Sequence, residues 1–493
     1  MGDYIVEFRG ISKEFPGVIA NDNINLAIKK GEIHGIIGEN GAGKSTLMNI
    51  LYGLLQASKG EVLVRGKPLR NNSPSKAIKH GIGMVHQHFM LLPSFSIAEN
   101  IVLGREPRKN RIFMDLDKAI KIAEDLVESY GLQVDPHLRV DEVSVGIQQR
   151  IEILKALYRG ADILILDEPT AVLTPQESEE LFIVIRKLVK DLNKTVIIIT
   201  HKLQEVMALS HRVSVMRQGR LIGTHNTKET SEGDLAEMMV GREVLFDKLD
   251  KKEVKGKTLL RVRKLRVQDK RGLYPLKSVD LDLKAGEVLG VAGVEGNGQT
   301  ELVEILTGLL EADEGQILLE DKNIRGKSSR EIRELGIAHI PEDRLATGLS
   351  VDASVSENMM MGIHRKKPYV SKFIHINRKA IRKRTEKLIR EFDIRTPNQD
   401  LLTKNLSGGN MQKLVIAREF SFNTPILIIS QPTRGVDIGA TEFIHREIIK
   451  KRNQACGILL VSADLDEIFR LSDRIITIYE GRITGEFARG QID

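Results

Sequence analysis

The chain has 493 residues, 41% hydrophobic and 29% charged, with 74 Lys and Arg against 67 Asp and Glu for a formal net charge of +7. That length predicts two to four domains, and that balance excludes wholesale disorder, a collagen-like fibre and an integral membrane protein. No apolar run approaches the roughly eighteen residues that a membrane span needs.

In chain order, Met1-Gly2-Asp3-Tyr4 carries no basic region followed by an apolar run, and Val6 stands where a myristoylation signal wants Ser or Thr. Neither export nor lipidation is expected at this end. Ile33 to Ile37 is the first short apolar run, with Ile163 to Leu166 and Val196 to Ile199 as later ones and helical stretches such as Ser178 to Leu192 between them. Runs of this length predict strands buried on both faces, hence an α/β fold with a mainly parallel sheet under helices. Each run ends in a polar or glycine-rich segment: Gly38, Asp167-Glu168 and His201. Ligands of open α/β sheets bind beyond the carboxyl ends of the strands, so the three ends outline one site. The single cysteine, Cys456, leaves no internal disulfide and no Cys-based zinc site, in keeping with a reducing cytoplasm, and reads as a packed residue.

Gly38-Glu39-Asn40-Gly41-Ala42-Gly43-Lys44-Ser45 fits the phosphate-loop pattern G-x-x-x-x-G-K-[ST] between a strand and a helix expected to begin near Ser45, with Thr46 beside it. Gly38, Gly41 and Gly43 let backbone N–H groups, with Asn40 among them, wrap phosphates. Lys44 meets the β and γ phosphates and Ser45 ligates magnesium. Asp167 at its strand end suits the magnesium shell, and Glu168 beside it suits polarisation of water, which is what phosphoryl transfer needs. His80, His86 and His88 read as polar residues around a strand end, and no transition metal is assigned to them.

The chain repeats itself. Lys29 to Gly38 reappears as Lys284 to Gly293, an offset of 255 residues; Ala98 to Ile101 reappears as Ser356 to Met359; and Ile163 to Thr170 reappears as Ile426 to Thr433. Matched order with slowly drifting offset predicts a duplicated domain. Asp247 to Lys257 carries eight charges in eleven residues and reads as a solvated linker. The expected division is residues 1–243, a linker at 244–258, and residues 259–493.

With Gln87 after an apolar run, Ser144-Val145-Gly146 before Gln148-Gln149-Arg150, Asp167-Glu168-Pro169-Thr170 and His201 following the phosphate loop in order, the chain resembles ABC-type ATPases over nearly its whole length, twice. That resemblance implies tandem P-loop domains, each a mainly parallel sheet with an antiparallel β part and a helical subdomain. It implies ATP and Mg²⁺ as cofactors, the metal held by Ser45, Gln87 and Asp167. Phe15 would stack on adenine, Gln87 would sense magnesium and the attacking water, Glu168 would be the catalytic carboxylate and His201 would contact the γ-phosphate. In this family the nucleotide lies between the phosphate loop of one domain and the Leu-Ser-Gly-Gly-Gln signature of the opposing one.

The two copies have decayed in opposite ways. In the second, Gln299 replaces the lysine, Ser430 and Gln431 replace the carboxylates, Glu342 the glutamine and Ala463 the histidine, yet Leu406-Ser407-Gly408-Gly409-Asn410 is nearly intact and Asp437 is retained. In the first, Val143-Ser144-Val145-Gly146-Ile147 is degraded and Thr174 stands where the second has Asp437. Head-to-tail pairing would join the intact loop of half one to Ser407, Gly408, Gly409 and Asn410 of half two, and would collect every defect in the other site.

Soluble twin-cassette ATPases of ribosomes or nucleic acid typically have two complete sites and a long helical linker, so the resemblance favours an importer motor. This chain also ends shortly after Arg482, with no regulatory domain expected there. A fused chain with a degenerate second site resembles nucleoside and monosaccharide importers. Met84 to Leu91 and Ser430-Gln431-Pro432-Thr433 resemble the nucleoside group, with monosaccharides as the alternative solute. Such a motor would sit peripherally on the cytoplasmic face of the membrane, with two membrane-spanning permeases and an extracytoplasmic solute-binding lipoprotein as partners. Finally, His364 to Lys387 holds ten Lys or Arg, Arg382-Lys383-Arg384 among them. It reads as a solvated helix face or as one meeting an anionic membrane surface. With Tyr369 and Phe373 its only aromatics, no specific nucleic acid is expected.

Overall fold

The computed structural model describes residues 4–86, 89–109, 113–170, 173–243, 250–253, 256–294, 296–370, 375–488 and 491. The chain divides into two units, Met1–Val244 and Leu245–Asp493. In the first, a six-stranded sheet runs from edge to edge as Arg220–Asn226, Arg212–Arg217, Ile33–Gly38, Thr195–Thr200, Ile163–Asp167 and Ile82–Val85, parallel except for the first pair. The second repeats that order with Arg482–Ala488, Arg474–Tyr479, Val288–Ala292, Gly457–Val461, Ile426–Ser430 and Ile337–Ile340. Each unit adds a four-stranded antiparallel sheet, led by the hairpin of Tyr4–Phe15 with Val18–Lys29 in one and Thr258–Val267 with Leu276–Lys284 in the other. A helical segment completes each: Ile97–Val102, Leu116–Tyr130 and Val145–Tyr158, against Val355–Met360, Arg378–Glu391 and Gly408–Phe420.

The predicted α/β class, with its doubly buried strands, is what the structure shows. Along Ile163–Asp167, Ile163 and Ile165 join the core beneath the antiparallel sheet, while Leu164 and Leu166 join a second core with Ile153, Ile185 and Leu188 on the opposite face. Side chains alternate across a strand, so a continuous aliphatic run is required only where both faces are covered. Each such side chain contributes about 1.5–3 kcal/mol on burial.

Some repeated motifs turn out to hold backbone. Ser96 and Glu99 form a capping box at the start of one helix, as Ser354 and Glu357 do in the other unit. Behind each cap lies a fully buried amide. Asn100 Oδ1 accepts from Leu92 N–H and Nδ2 donates to the Leu92 and Ser96 carbonyls; Asn358 repeats this on Ser350 and Ser354. In the Lys-x-Gly-Glu repeats, Glu32 accepts from Lys29 N–H and Glu287 from Lys284 N–H.

The helix predicted over Ser178 to Leu192 is found at Pro175–Lys190, because Thr174 caps it by accepting from Glu177 N–H. Of the charged stretch between the copies, Asp250 and Lys252 are held on Asn453 and Lys251 reaches the Ser472 carbonyl. Among the described residues, no helix is long and apolar enough to cross a membrane. Cys456 is 5% exposed in the second unit's core, and burial pushes its thiol up to about 12.

Candidate functional site

In the first unit, strand Ile33–Gly38 runs through the loop into helix Lys44–Tyr52. Gly43 has φ 96°, and a Cβ there would lie 2.2 Å from the Ala20 carbonyl oxygen, so only glycine lets the loop pass. Lys44 is 6% exposed and its Nζ donates to the carbonyls of Gly38 at 2.6 Å and Glu39 at 3.0 Å. A buried ammonium held at the loop's mouth is what binding of phosphate requires. Asn40 and Gly41 are exposed on the loop, and an added Cβ at Gly41 would meet nothing within 4 Å, leaving open space above it.

Ser45 follows in the helix, and two strand ends deliver the other groups. Ser45 Oγ donates to Asp167 Oδ1 at 3.5 Å, and burial pushes Asp167 above the usual carboxylate range, opposed by that hydroxyl. Two hard oxygens at the end of a phosphate loop suit a magnesium ion. Glu168 Oε1 lies 2.9 Å from His201 Nδ1, and that hydrogen bond holds Glu168 below the usual carboxylate range against the opposite pull of burial. The backbone of Glu168 is left-handed, φ 48°, with its N–H on the Ile199 carbonyl. Lys44, Ser45, Asp167, Glu168 and His201 therefore lie together. Thr46 lies half-buried in the helix's first turn, and Phe15 is 41% exposed with the Lys13 ammonium 5.2 Å from its ring. Gln87 and His88 lie outside the described residues, and His86 packs edge-on against Tyr52.

Sequence reasoning missed Asn21. It is fully buried, and its Nδ2 donates to the Gly43 carbonyl at 3.0 Å, bracing the loop from the antiparallel sheet. A lone Asn in a strand carries no motif, but the matching position of the second copy is Leu276, whose side chain lies against Gly298. That polar-to-apolar difference was the available signal.

The second unit keeps the path of the chain and changes the side chains along it. Gln299 is 8% exposed, its Nε2 donates to the Val294 carbonyl at 3.0 Å and its Oε1 accepts from Asn297 N–H at 3.1 Å. A neutral amide thus ties the loop to itself. Gln431 Oε1 accepts from Ala463 N–H, Ser430 Oγ is buried without a hydrogen-bond partner, and Glu342 is ion-paired with Arg434. The Gln431 backbone has φ 47° and donates to the Val461 carbonyl, the turn Glu168 makes.

The signatures differ in their surroundings. Ser407 caps Gly408–Phe420, accepting from Asn410 N–H and from Asn410 Nδ2, and Gly409 faces Asp437 with a 3.0 Å gap between an added Cβ and Oδ2. Ser144 caps Val145–Tyr158, but the Glu177 carboxylate lies on it, and a Cβ on Gly146 would come within 2.4 Å of Oε1.

With that geometry in place, the ABC transporter family profile matches residues 21–171 and 276–434, and the chain belongs to this family, whose cassette domains bind ATP. Among its relatives, a guanosine import ATP-binding protein of Bacillus subtilis is 49% identical over 98% of this chain and 94% of its own. A nucleoside import ATP-binding protein of Lactococcus lactis is 47% identical over 98% and 94%, and a glucose import ATP-binding protein of Haloferax volcanii 45% identical over 98% and 92%. An archaeal ribosome recycling factor, solved in complex with the ribosomal stalk protein aP1, matches 97% of this chain and 90% of its own with a TM-score of 0.65. At 21% identity that likeness shows the fold alone.

Proposed function

We propose that this chain is the ATP-hydrolysing subunit of a membrane importer, with nucleosides as the solute. One observation carries the catalytic part: Lys44, Ser45, Asp167, Glu168 and His201 converge in the first unit, while in the second Gln299, Ser430, Gln431 and Ala463 carry no charge, with Gln299 and Gln431 bonded to backbone groups and only Thr300 keeping the hydroxyl of its counterpart. The resident metal would be Mg²⁺, held by Ser45 and Asp167 with Gln87, and it would neutralise charge on the phosphates. Lys44 holds the β and γ phosphates. Glu168, kept ionised by His201, orients the attacking water and accepts its proton. Phe15 stacks on the base, and Gly38, Asn40, Gly41, Gly43 and Thr46 line the phosphates.

The sorted defects of the two copies support a composite site, in which the first half's loop works with Ser407, Gly408, Gly409 and Asn410 of the second. Residues 1–243 and 259–493 would be the two cassettes and 244–258 their linker. The import named for the relatives supports membrane permeases and a solute-binding protein as partners and a peripheral place on the membrane; two permeases, a lipoprotein as the binding protein and the cytoplasmic face complete the reading. Nucleosides are favoured because the two relatives named for them are more alike to this chain than the one named for glucose. Reconstitution with its permeases and binding protein tests this: guanosine should stimulate ATP hydrolysis. Stimulation by glucose or ribose alone would replace the nucleoside reading with the monosaccharide one.

A further inference from the structure

The two helical segments differ in charge far more than in fold. Between Arg105 and Tyr130 the first unit has six cations and six carboxylates; between His364 and Lys387 the second has ten cations and one carboxylate, Glu386. Helix Arg378–Glu391 buries Ile381, Thr385 and Leu388, one stripe at helical spacing, which turns the intervening cations outward. Its first turn has no acidic residue and carries Arg378 and Lys379, although helix N-termini favour carboxylates. The first unit's counterpart, Leu116–Tyr130, starts on Asp115 and Asp117 as that rule prefers.

The structure also separates structural cations from outward ones. Arg384 is turned inward, donating to the Met359 carbonyl and to Ser421 Oγ with its guanidinium over the Tyr369 ring, and Arg382 pairs with Asp400. By contrast Arg365, Lys366, Lys367, Lys379, Lys383 and Lys387 are exposed and form no ion pair among the described residues. Beside them Ile376 is 46% exposed. An array of unpaired cations around an exposed apolar side chain matches an interface of anionic headgroups over hydrocarbon. Single-stranded nucleic acid would need open aromatic faces, and the Tyr369 ring is covered by Arg384 while Phe373 lies outside the described residues.

We infer that this basic face of the second unit adsorbs to the anionic phosphate headgroups of a lipid bilayer, placing the signature-bearing helical segment against the membrane. The inference rests on the reading of the chain as an importer subunit only for its location; the surface itself is tested without permeases. The purified full chain is sedimented with phosphatidylcholine vesicles with and without 30% phosphatidylglycerol. Adsorption should require the anionic lipid and fade with salt. Lys379→Gln, Lys383→Gln and Lys387→Gln together should weaken it on the order of a hundredfold, with thermal unfolding unchanged. Lys118→Gln with Lys121→Gln in the first unit should leave it intact. Inorganic phosphate at matched ionic strength should not displace the chain; if it does, the face is a discrete phosphate site and the inference fails. Equal adsorption of the triple variant, or tighter binding of single-stranded RNA than of anionic vesicles at physiological salt, would also overturn it. Because no permease is present, failure here leaves the solute-stimulated ATPase test untouched.

Discussion

Lys44 and Gln299 occupy the same buried position beneath the same loop, and they act there in opposite ways. Lys44 sets a positive charge against the carbonyls at the mouth of its loop, whereas Gln299 spends its amide on the N–H of Asn297 and the carbonyl of Val294. The turn that follows Ile163–Asp167 in one unit and Ile426–Ser430 in the other tells the same story: Glu168 and Gln431 share a left-handed backbone with φ within a degree, yet one faces a histidine and the other closes on the Ala463 N–H. Side chains that hold backbone persist in both copies: the Asn100 and Asn358 clips, the Glu32 and Glu287 caps, and Ser144 and Ser407 at their helix starts. The lysine, the paired carboxylates and the histidine do not persist, although Thr300 keeps the hydroxyl of Ser45. Architecture here is fixed by main-chain satisfaction, so a unit can exchange the side chains of its loop and keep its shape.

The largest effect should come from exchanging the residues that differ in that turn. Glu168→Gln should lower turnover by roughly 10²-fold or more while ATP still binds, and Gln431→Glu should change it less than about twofold. Steady-state ATPase and a nucleotide-binding assay on the assembled transporter read both, and near-normal turnover in Glu168→Gln would sink the assignment. Next in size, Gly409→Asp should cost roughly tenfold or more and Gly146→Asp far less. The comparison is fair because both glycines face a carboxylate, at 3.0 Å and 2.4 Å from an added Cβ, so local crowding is no milder at Gly146. Equal losses would defeat the one-site reading, and loss only at Gly146 would reverse the pairing of the halves.

A pH profile sharpens the comparison further. The hydrogen bond from His201 is the largest cause that keeps Glu168 below the ordinary range. A depressed carboxylate is lost as pH falls through its folded-state value, so removing the cause raises that value and moves the loss upward. His201→Gln should therefore shift the acid limb of kcat to higher pH as well as lower its plateau. An unmoved limb would mean that another group governs it. Smallest of all, Asn21→Leu copies Leu276 into the first unit. Losing one hydrogen bond worth about 1 kcal/mol should raise KM for ATP about fivefold with kcat little changed. Melting should stay put, since Asn21 Oδ1 is already buried without a partner; a fall in kcat with KM unchanged would refute the bracing role.

Much of this was legible before any coordinates. Apolar runs ending in glycine or acid predicted the parallel strands and the converging ends, because buried strands and phosphate loops impose strict local chemistry. The repeat's drifting offset announced two similar units for the same reason. What escaped notice acts through space without local pattern. Asn21 is one polar residue on a strand, braced to Gly43 across 22 positions; Gln299 read as a missing charge and proved to be a plug. Arg384 looked like one more surface cation until helical phase placed it over Tyr369, beside Ser421.

Cys456 offers a practical consequence. A thiol packed in the core, with its ionisation pushed to about 12, stays unreactive toward maleimides at neutral pH, where attack needs the thiolate. The native chain thus serves as its own silent background for spectroscopic probes. A cysteine introduced at exposed Glu124, away from the loop and the signature, would take a label selectively. Fluorescence from that label would then follow its helical segment through a turnover cycle without first stripping native thiols from the protein.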